Sequence, residues 1–164
     1  MKAALLVVAW LLIGTAQAGN PEDPTDFYHA VIHIKAMVDA GIDPFAEYGT
    51  TERQKSDFLA VMDETELLQQ ERVSTAMHFL CGFKGSTEAL AAWAESNEAR
   101  RTADYVEVKR LLEARVDHTI LLAIHKEATE LPYTREGHRS RLPLRVRDGS
   151  WRIEDFQALR CKGE

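Results

Sequence analysis

One carboxylate near the C-terminus has neighbours that could give it chemistry. Asp155 follows Trp151 and Ile153 at alternate positions and precedes Phe156. A carboxylate in apolar surroundings has a raised pKa and can serve as a general acid or base. These four residues are therefore the predicted pocket, with Asp155 as the candidate catalytic residue. In the alternative, a bulge at Glu154 and Asp155 turns Phe156 inward and leaves Asp155 outside as a structural residue.

A histidine pair offers a second possible chemistry. His29 and His33 are four residues apart, with Asp26 on the same side of a predicted helix, and this spacing can hold a metal ion. That side lies opposite the apolar positions of the helix, and no HExxH glutamate accompanies it. We therefore expect a solvated helix face, with neither a metal site nor a cofactor.

The only two cysteines are Cys81 and Cys161. Neither has a cysteine or histidine at metal-site spacing, and no charged residue adjoins Cys81 to lower its pKa. In an oxidising compartment the two thiols can pair and tie the C-terminus to the middle of the chain. We predict this disulfide, with two buried free thiols as the alternative.

A row of arginines precedes and follows an Asp-Gly pair near the C-terminus. In a chain that is otherwise acidic, such a row could dock an acidic partner or an anionic cell-envelope component. The ordinary alternative is a solvated sheet face neutralised by nearby glutamates. The row comprises Arg139, Arg141, Arg145, Arg147 and Arg152.

The first 18 residues, MKAALLVVAWLLIGTAQA, have the order of a secretory leader: a basic start, a short apolar run and an A-x-A end. We expect cleavage after Ala18, a periplasmic or secreted bacterial protein, and one domain over 19–164. No second apolar run predicts a membrane span. The 20 Lys and Arg against 26 Asp and Glu give a net charge of −6, which disfavours nucleic acid as a partner.

Helices are predicted for the first two thirds of the mature chain. The first has Asp23 as N-cap, Pro24 at its first position and Gly41 as its stop. Thr51 opens a second helix through a capping box, a further helix from residue 64 ends at Gly82, and Ser86 caps the next one. The apolar positions of the first helix, which recur at helical spacing, are Phe27, Val31, Ile34 and Val38.

Strands are predicted from Tyr105 onward, where the apolar period changes. YVEVKRLLEARV alternates apolar and charged residues, which is typical of a half-buried strand, and TILLAIHKEA is apolar on both sides, as in a central strand. On the second strand His125 should point to the outer face as an interface residue. The same outer face could form a homodimer. In an envelope assembly, the outward Leu111, Leu121 and Ala123 would supply the interface.

The stretch RLPLRVRDGSWRIEDF predicts a β-hairpin turned by Asp148-Gly149. In this register Val146 faces Trp151 and Leu144 faces Ile153, so these side chains share the inner face. The fold class is therefore α+β, with N-terminal helices packed on a curved antiparallel sheet and at least four strands in the C-terminal third.

This plan, with the final hairpin, resembles the nuclear transport factor 2-like superfamily, which includes ketosteroid isomerases and SnoaL-like cyclases. The residues that carry the resemblance are the Asp-Gly turn followed by Trp151, Arg152 and Ile153. The resemblance implies a cone-shaped, cystatin-like sheet with a pocket inside it. It implies no catalytic set, because no enzyme subgroup's residues match.

Three functions follow as hypotheses. The favoured one is a non-catalytic binding or inhibitory module for an unidentified protein or small molecule, with immunity to a secreted toxin as one version. The second is a small isomerase, cyclase or hydrolase that uses Asp155 in the cone. The third is a subunit of a cell-envelope assembly.

Overall fold

A computed structural model describes residues 17–130, 132–133 and 142–161 of the chain. The described residues are helical except for one short strand pair and the loops. The strand pair is antiparallel, with Gln17 opposite Tyr133 and Ala18 opposite Pro132. The elements are β1 (Gln17–Ala18), α1 (Pro24–Asp39), a 3-10 helix (Ala46–Tyr48), α2 (Glu52–Gly82), α3 (Thr87–Arg115), α4 (His118–Glu130), β2 (Pro132–Tyr133), α5 (Leu142–Arg147) and α6 (Ile153–Arg160).

Three of the four predicted helix starts are confirmed. The Asp23 side chain accepts a hydrogen bond from the backbone N–H of Thr25, and Pro24 is the first residue of α1. Thr51 and Gln54 form the predicted capping box of α2, and Ser86 caps α3 by accepting from the backbone N–H of Ala89. The break predicted within α2 near residue 64 is wrong, because the helix runs unbroken through a stretch without glycine or proline.

The predicted α+β cone with a curved sheet is wrong. YVEVKRLLEARV is the last part of α3, and TILLAIHKEA lies in α4. From Tyr105 to the end of α3 the buried residues are Tyr105, Val108 and Leu112, which lie at helical spacing, whereas Val106 is 50% exposed. In α4 the buried Ile120 and Ile124 are four residues apart. The apolar positions of these segments are compatible with both the strand period and the helix period, and the segments form helices here.

The predicted terminal hairpin is also wrong. Asp148-Gly149 does turn the chain, with Gly149 at φ +73° and the Asp148 side chain accepting from the backbone N–H of Ser150 at 2.8 Å. The turn joins helices α5 and α6, however, instead of two strands. Val146 is fully buried while Leu144 is 62% exposed, so these two side chains do not share a face.

Two cores lie at opposite ends of the α2–α3 helix pair. The first packs α1 and α4 against the start of α2 and the end of α3, and burial of its large side chains is the main stabilising term. Within it the Phe45 and Phe58 rings meet edge to face, with centroids 5.5 Å apart. Its largest fully buried members are Phe27, Phe45, Phe58, Ile34, Leu112, Ile120 and Ile124.

The second core joins the other end of the helix pair to α5 and α6. Its buried members are Leu80, Leu90, Ala91 and Val146. A disulfide joins Cys81, in the last turn of α2, to the residue after α6, Cys161, with Cα atoms 5.6 Å apart. The predicted pairing of the two cysteines is thus present in the structure, and it fixes α6 to the end of α2.

Candidate functional site

A cleft of about 630 Å³ lies between α2 and α3, in the interval between the two cores. Its walls repeat one spacing: residues 68, 72, 75 and 79 on α2, and residues 93, 97, 100 and 104 on α3. Steps of four, three and four place side chains on one helix face. These are the positions at which two paired helices usually bury apolar residues against each other. The lining residues are Leu68, Glu71, Arg72, Thr75, Ala76, Phe79, Trp93, Asn97, Arg100, Arg101 and Asp104.

An ion pair crosses the cleft at one end. Arg72 of α2 contacts the Asp104 carboxylate of α3, and the Asp104 side chain is only 10% exposed while that of Arg72 is 49% exposed. Burial raises the pKa of Asp104, and the neighbouring Arg72 guanidinium opposes that rise. The carboxylate is thus poorly solvated and held mainly by a guanidinium that still reaches water.

Two further arginines stand at this end without a direct ion pair to a carboxylate among the described residues, although the charge of Arg101 also acts to lower the pKa of Asp104. Arg101 donates to the Tyr105 hydroxyl at 3.0 Å, and Tyr105 in turn stacks on Tyr28 of α1, with centroids 4.2 Å apart. Arg100 donates to the Ser96 hydroxyl at 3.3 Å. Guanidinium groups held by neutral partners keep donors available for an anion.

The other end of the cleft is aromatic. The Phe79 and Trp93 rings stack with centroids 4.6 Å apart and planes 12° from parallel. Phe79 remains 37% exposed, and Ala76 lies one turn away on the same wall. Exposed stacked rings in a concave site are typical contacts for the apolar part of a ligand.

The predicted pocket residues lie outside the lining of the cleft. Asp155 is exposed in the first turn of α6, so the inward position proposed for it is wrong. Trp151, Ile153 and Phe156 pack together against the second core, with the Trp151 and Phe156 rings 5.8 Å apart. The bulge alternative, with Phe156 inward and Asp155 outside, matches the burial of these two residues, although both lie in helix α6 and not in a strand.

The predicted arginine row does not lie on a sheet. Arg145 and Arg147 are exposed on α5, and Arg152 is exposed just before α6. Arg147 forms an ion pair with Glu95 of α3. Arg139 and Arg141 lie outside the described residues.

The histidine pair on α1 has surroundings that the helical spacing did not predict. Asp26 is buried and its side chain accepts from the backbone N–H of Asn20 at 2.8 Å, whereas a solvated face was expected. His33 is exposed and pairs with Glu127 of α4. Among the residues that the structure describes, no three His, Cys, Asp or Glu side chains are placed to share a metal ion.

The predicted outer sheet face is absent, so its residues have other positions. His125 is half-buried, with its ring edge-on to Phe27 at 5.9 Å. Ala123 belongs to the first core, and Leu111 and Leu121 pack against it. The apolar side chains expected on an outward interface therefore pack, at least in part, against the first core.

The cleft residues were not identified from the sequence. The available signal was the repeated spacing of four, three and four on two helices joined by a short loop. Charged residues stand at Arg72, Arg100 and Asp104, where a helix seam normally has apolar ones. Recognising it required knowing that residues 105–115 continue α3. Because a strand was predicted from Tyr105 onward, the helix was expected to end just after Asp104.

Comparison of the chain with protein-family models, with curated proteins and with solved structures finds no match. The resemblance to the nuclear transport factor 2-like superfamily stays a prediction that these comparisons do not test, although the cone it implied is wrong. Of the helices in residues 17–130 and 142–161, none is long and apolar enough to cross a membrane. Residues 1–16 of the predicted leader lie outside the described residues.

Proposed function

We propose that the protein is a non-catalytic binding module, exported from the cytoplasm, that holds a small molecule in the cleft between α2 and α3. The observation that carries the proposal is the lining of the cleft. Two long helices expose an ion pair, free guanidinium donors and a stacked aromatic pair towards each other. A volume of about 630 Å³ falls in the range of sites for small organic ligands.

Stability considerations support a retained function for this lining. A helix pair gains most free energy by filling its seam with apolar side chains. The buried charge of Asp104 costs desolvation free energy that a neutral apolar residue would avoid. The arginines of this seam are more readily explained by a ligand than by folding, with Asp104 as the partner of Arg72 when no ligand is bound.

Export is the part of the proposal that depends on the sequence. The leader pattern of residues 1–18 predicts it, and the Cys81–Cys161 disulfide supports it because such bonds persist in oxidising compartments. A periplasmic or secreted location for the mature protein follows from both observations. Comparing the mass of the exported protein with that of the full chain tests cleavage after Ala18.

The direct test is capture of a ligand by the disulfide-bonded protein from an extract of cell-envelope small molecules, read out by native mass spectrometry. Ala76→Trp fills the cleft, and Ser74→Trp adds the same side chain at an exposed position outside its lining. We expect a bound species with the wild type and Ser74→Trp that is absent with Ala76→Trp. Equal capture by all three proteins, each checked by thermal melting, would place the ligand elsewhere and reject the proposal.

The inhibitory and envelope-assembly hypotheses remain alternatives with a protein partner. A pull-down with the oxidised protein distinguishes these hypotheses from the small-molecule proposal. One stoichiometric protein partner whose capture is unaffected by Ala76→Trp would favour them. The enzyme hypothesis required Asp155 inside a cone and has lost that structural basis.

A further inference from the structure

We infer, on the premise of the binding function proposed above, that the cleft takes an organic monoanion with an aromatic body, and that Asp104 is a built-in competitor for the anionic group. The arginine end would bind the anion and the Phe79–Trp93 stack would bind the rings. Asp104 would occupy the Arg72 guanidinium until the ligand displaces it. Different measurements would reject the proposed binding function and this inference about the ligand.

Charge at the arginine end favours an anion. Arg72, Arg100 and Arg101 face Glu71 and Asp104 in the lining, so guanidinium groups exceed carboxylates by one, three against two. The excess is not matched by a carboxylate among the described residues, since Arg100 and Arg101 donate to hydroxyl groups. A single negative charge on the ligand completes the balance.

The separation of the two ends sets the length of the ligand. From Arg72 to Phe79 on α2, and from Arg100 to Trp93 on α3, the chain advances seven residues, or about 10 Å along each helix at 1.5 Å per residue. A rigid pair of rings with an acid group at one end spans such a distance. A simple inorganic anion would leave the aromatic end unfilled.

The competitor role follows from the unequal exposure of the ion pair. Arg72 is half exposed and can turn towards a ligand, whereas Asp104 is nearly buried and has no comparable freedom. A ligand anion that recruits Arg72 must take donors from Asp104, which costs part of the binding free energy. Replacing Asp104 by the isosteric neutral asparagine removes that cost.

Isothermal titration calorimetry on the full, disulfide-bonded chain tests this inference with biphenyl-4-sulfonate and its neutral analogue biphenyl-4-sulfonamide. The sulfonate stays ionised throughout the accessible pH range. We expect the sulfonate to bind about tenfold more tightly than the sulfonamide, as a charge-assisted contact implies. Asp104→Asn should tighten sulfonate binding about tenfold, and Arg101→Gln should weaken it by about the same factor.

Matched controls assign the effects to the cleft. Arg110→Gln removes an exposed arginine of the same helix that pairs with Glu107 outside the cleft, and it should leave both affinities unchanged. Ala76→Trp should abolish binding of both compounds. Sulfonamide affinity should be insensitive to Asp104→Asn and Arg101→Gln, which separates the charge effect from misfolding.

The outcomes that overturn the inference are distinct. Equal affinities for the two compounds, both lost in Ala76→Trp, would retain a binding cleft but reject an anionic ligand. Weaker sulfonate binding in Asp104→Asn would make Asp104 a required part of the site and not a competitor. Absence of binding by either compound would reject this ligand class, while ligand capture from envelope extract would still decide the proposed function.

Discussion

Arg72 of α2 and Asp104 of α3 form an ion pair across the cleft, with the carboxylate almost buried and the guanidinium half exposed. Attraction to Arg72 offsets only part of the cost of taking the Asp104 charge out of water, and the pKa of Asp104 is accordingly raised by burial. The pair is therefore expected to make little net contribution to stability. Its effects should be visible in the pH dependence of folding.

The first prediction concerns that pH dependence. Because burial raises the folded-state pKa of Asp104 above its ordinary value of 3.8, the native state binds more protons than the unfolded state between the two values. The free energy of unfolding contributed by Asp104 therefore falls as pH rises from 3.8 through the folded pKa, and then levels off. Urea unfolding at several pH values should show that Asp104→Asn removes this decline.

Asp117 provides a matched control with the opposite sign. Its carboxylate accepts from the backbone N–H of Thr119 at 2.9 Å, and this bond lowers the pKa of Asp117. Its contribution to stability is present above the unfolded pKa and is lost as pH falls through the folded value. If the free energy of unfolding of Asp104→Asn still declines as pH rises, Asp104 is not the group that causes the decline.

The second prediction distinguishes a helix from a strand at residues 118–130. In α4 Ile124 is fully buried and Leu122 is 42% exposed, whereas a strand would place both on one face. Ile124→Ala should reduce the free energy of unfolding by about 2–5 kcal/mol. Leu122→Ala should change it by no more than about 0.5 kcal/mol. Similar large losses from both substitutions in urea unfolding would refute the helical register.

The third prediction uses two glycines that should respond with opposite signs. Gly149 has φ +73°, so Gly149→Ala forces a side chain into a disfavoured region and should cost about 1 kcal/mol. Gly82 ends α2, and a Cβ there would have no atom within 4 Å. Gly82→Ala should stabilise the protein by about 0.5–1 kcal/mol. Thermal melting of both variants checks the signs, and stabilisation by Gly149→Ala would contradict the turn.

The fourth prediction concerns the disulfide, which closes a separation of 80 residues. Replacing Cys81 and Cys161 by serine should lower the free energy of unfolding by about 2–5 kcal/mol. Amide exchange should show the largest loss of protection in α6, because few other contacts hold that helix to α2. A uniform loss of amide protection over the whole chain would show instead that the disulfide stabilises the entire protein.

Gln157 gives a milder perturbation of the same junction. Its side-chain amide donates to the backbone carbonyls of Leu80 at 2.8 Å and Phe83 at 2.9 Å. The Leu80 carbonyl also accepts from the backbone N–H of Phe83 at 3.3 Å. Gln157→Ala should cost about 1–3 kcal/mol with the disulfide intact. A cost near zero would show that water satisfies these carbonyls.

Local features were predictable because their signals lie within a few residues. The caps at Asp23, Thr51 and Ser86 each depend on one side chain and the next turn of backbone. The turn at Asp148-Gly149 was located correctly for the same reason, since glycine at positive φ reverses a chain whichever elements flank it.

Elements beyond Tyr105 were not predictable from apolar period alone. Val106, Val108, Leu112 and Val116 fit an alternating strand, yet the charged residues among them also fit a helix. Glu107 pairs with Arg110 three residues on, and Lys109 with Glu113 four residues on. Such pairs are neighbours on a helix but not along one strand, so they were a local signal that favoured the correct structure.

The sequence by itself determined the starts of α1, α2 and α3, the turn at Gly149 and the availability of two cysteines for pairing, because each depends on nearby residues. Tertiary structure decided which period the ambiguous segments took, since Val108, Leu112 and Ile124 gain burial together only as helix faces against α1. It also decided the site: Arg72 and Asp104 are 32 residues apart in the sequence, and only the antiparallel return of α3 along α2 brings their charges together.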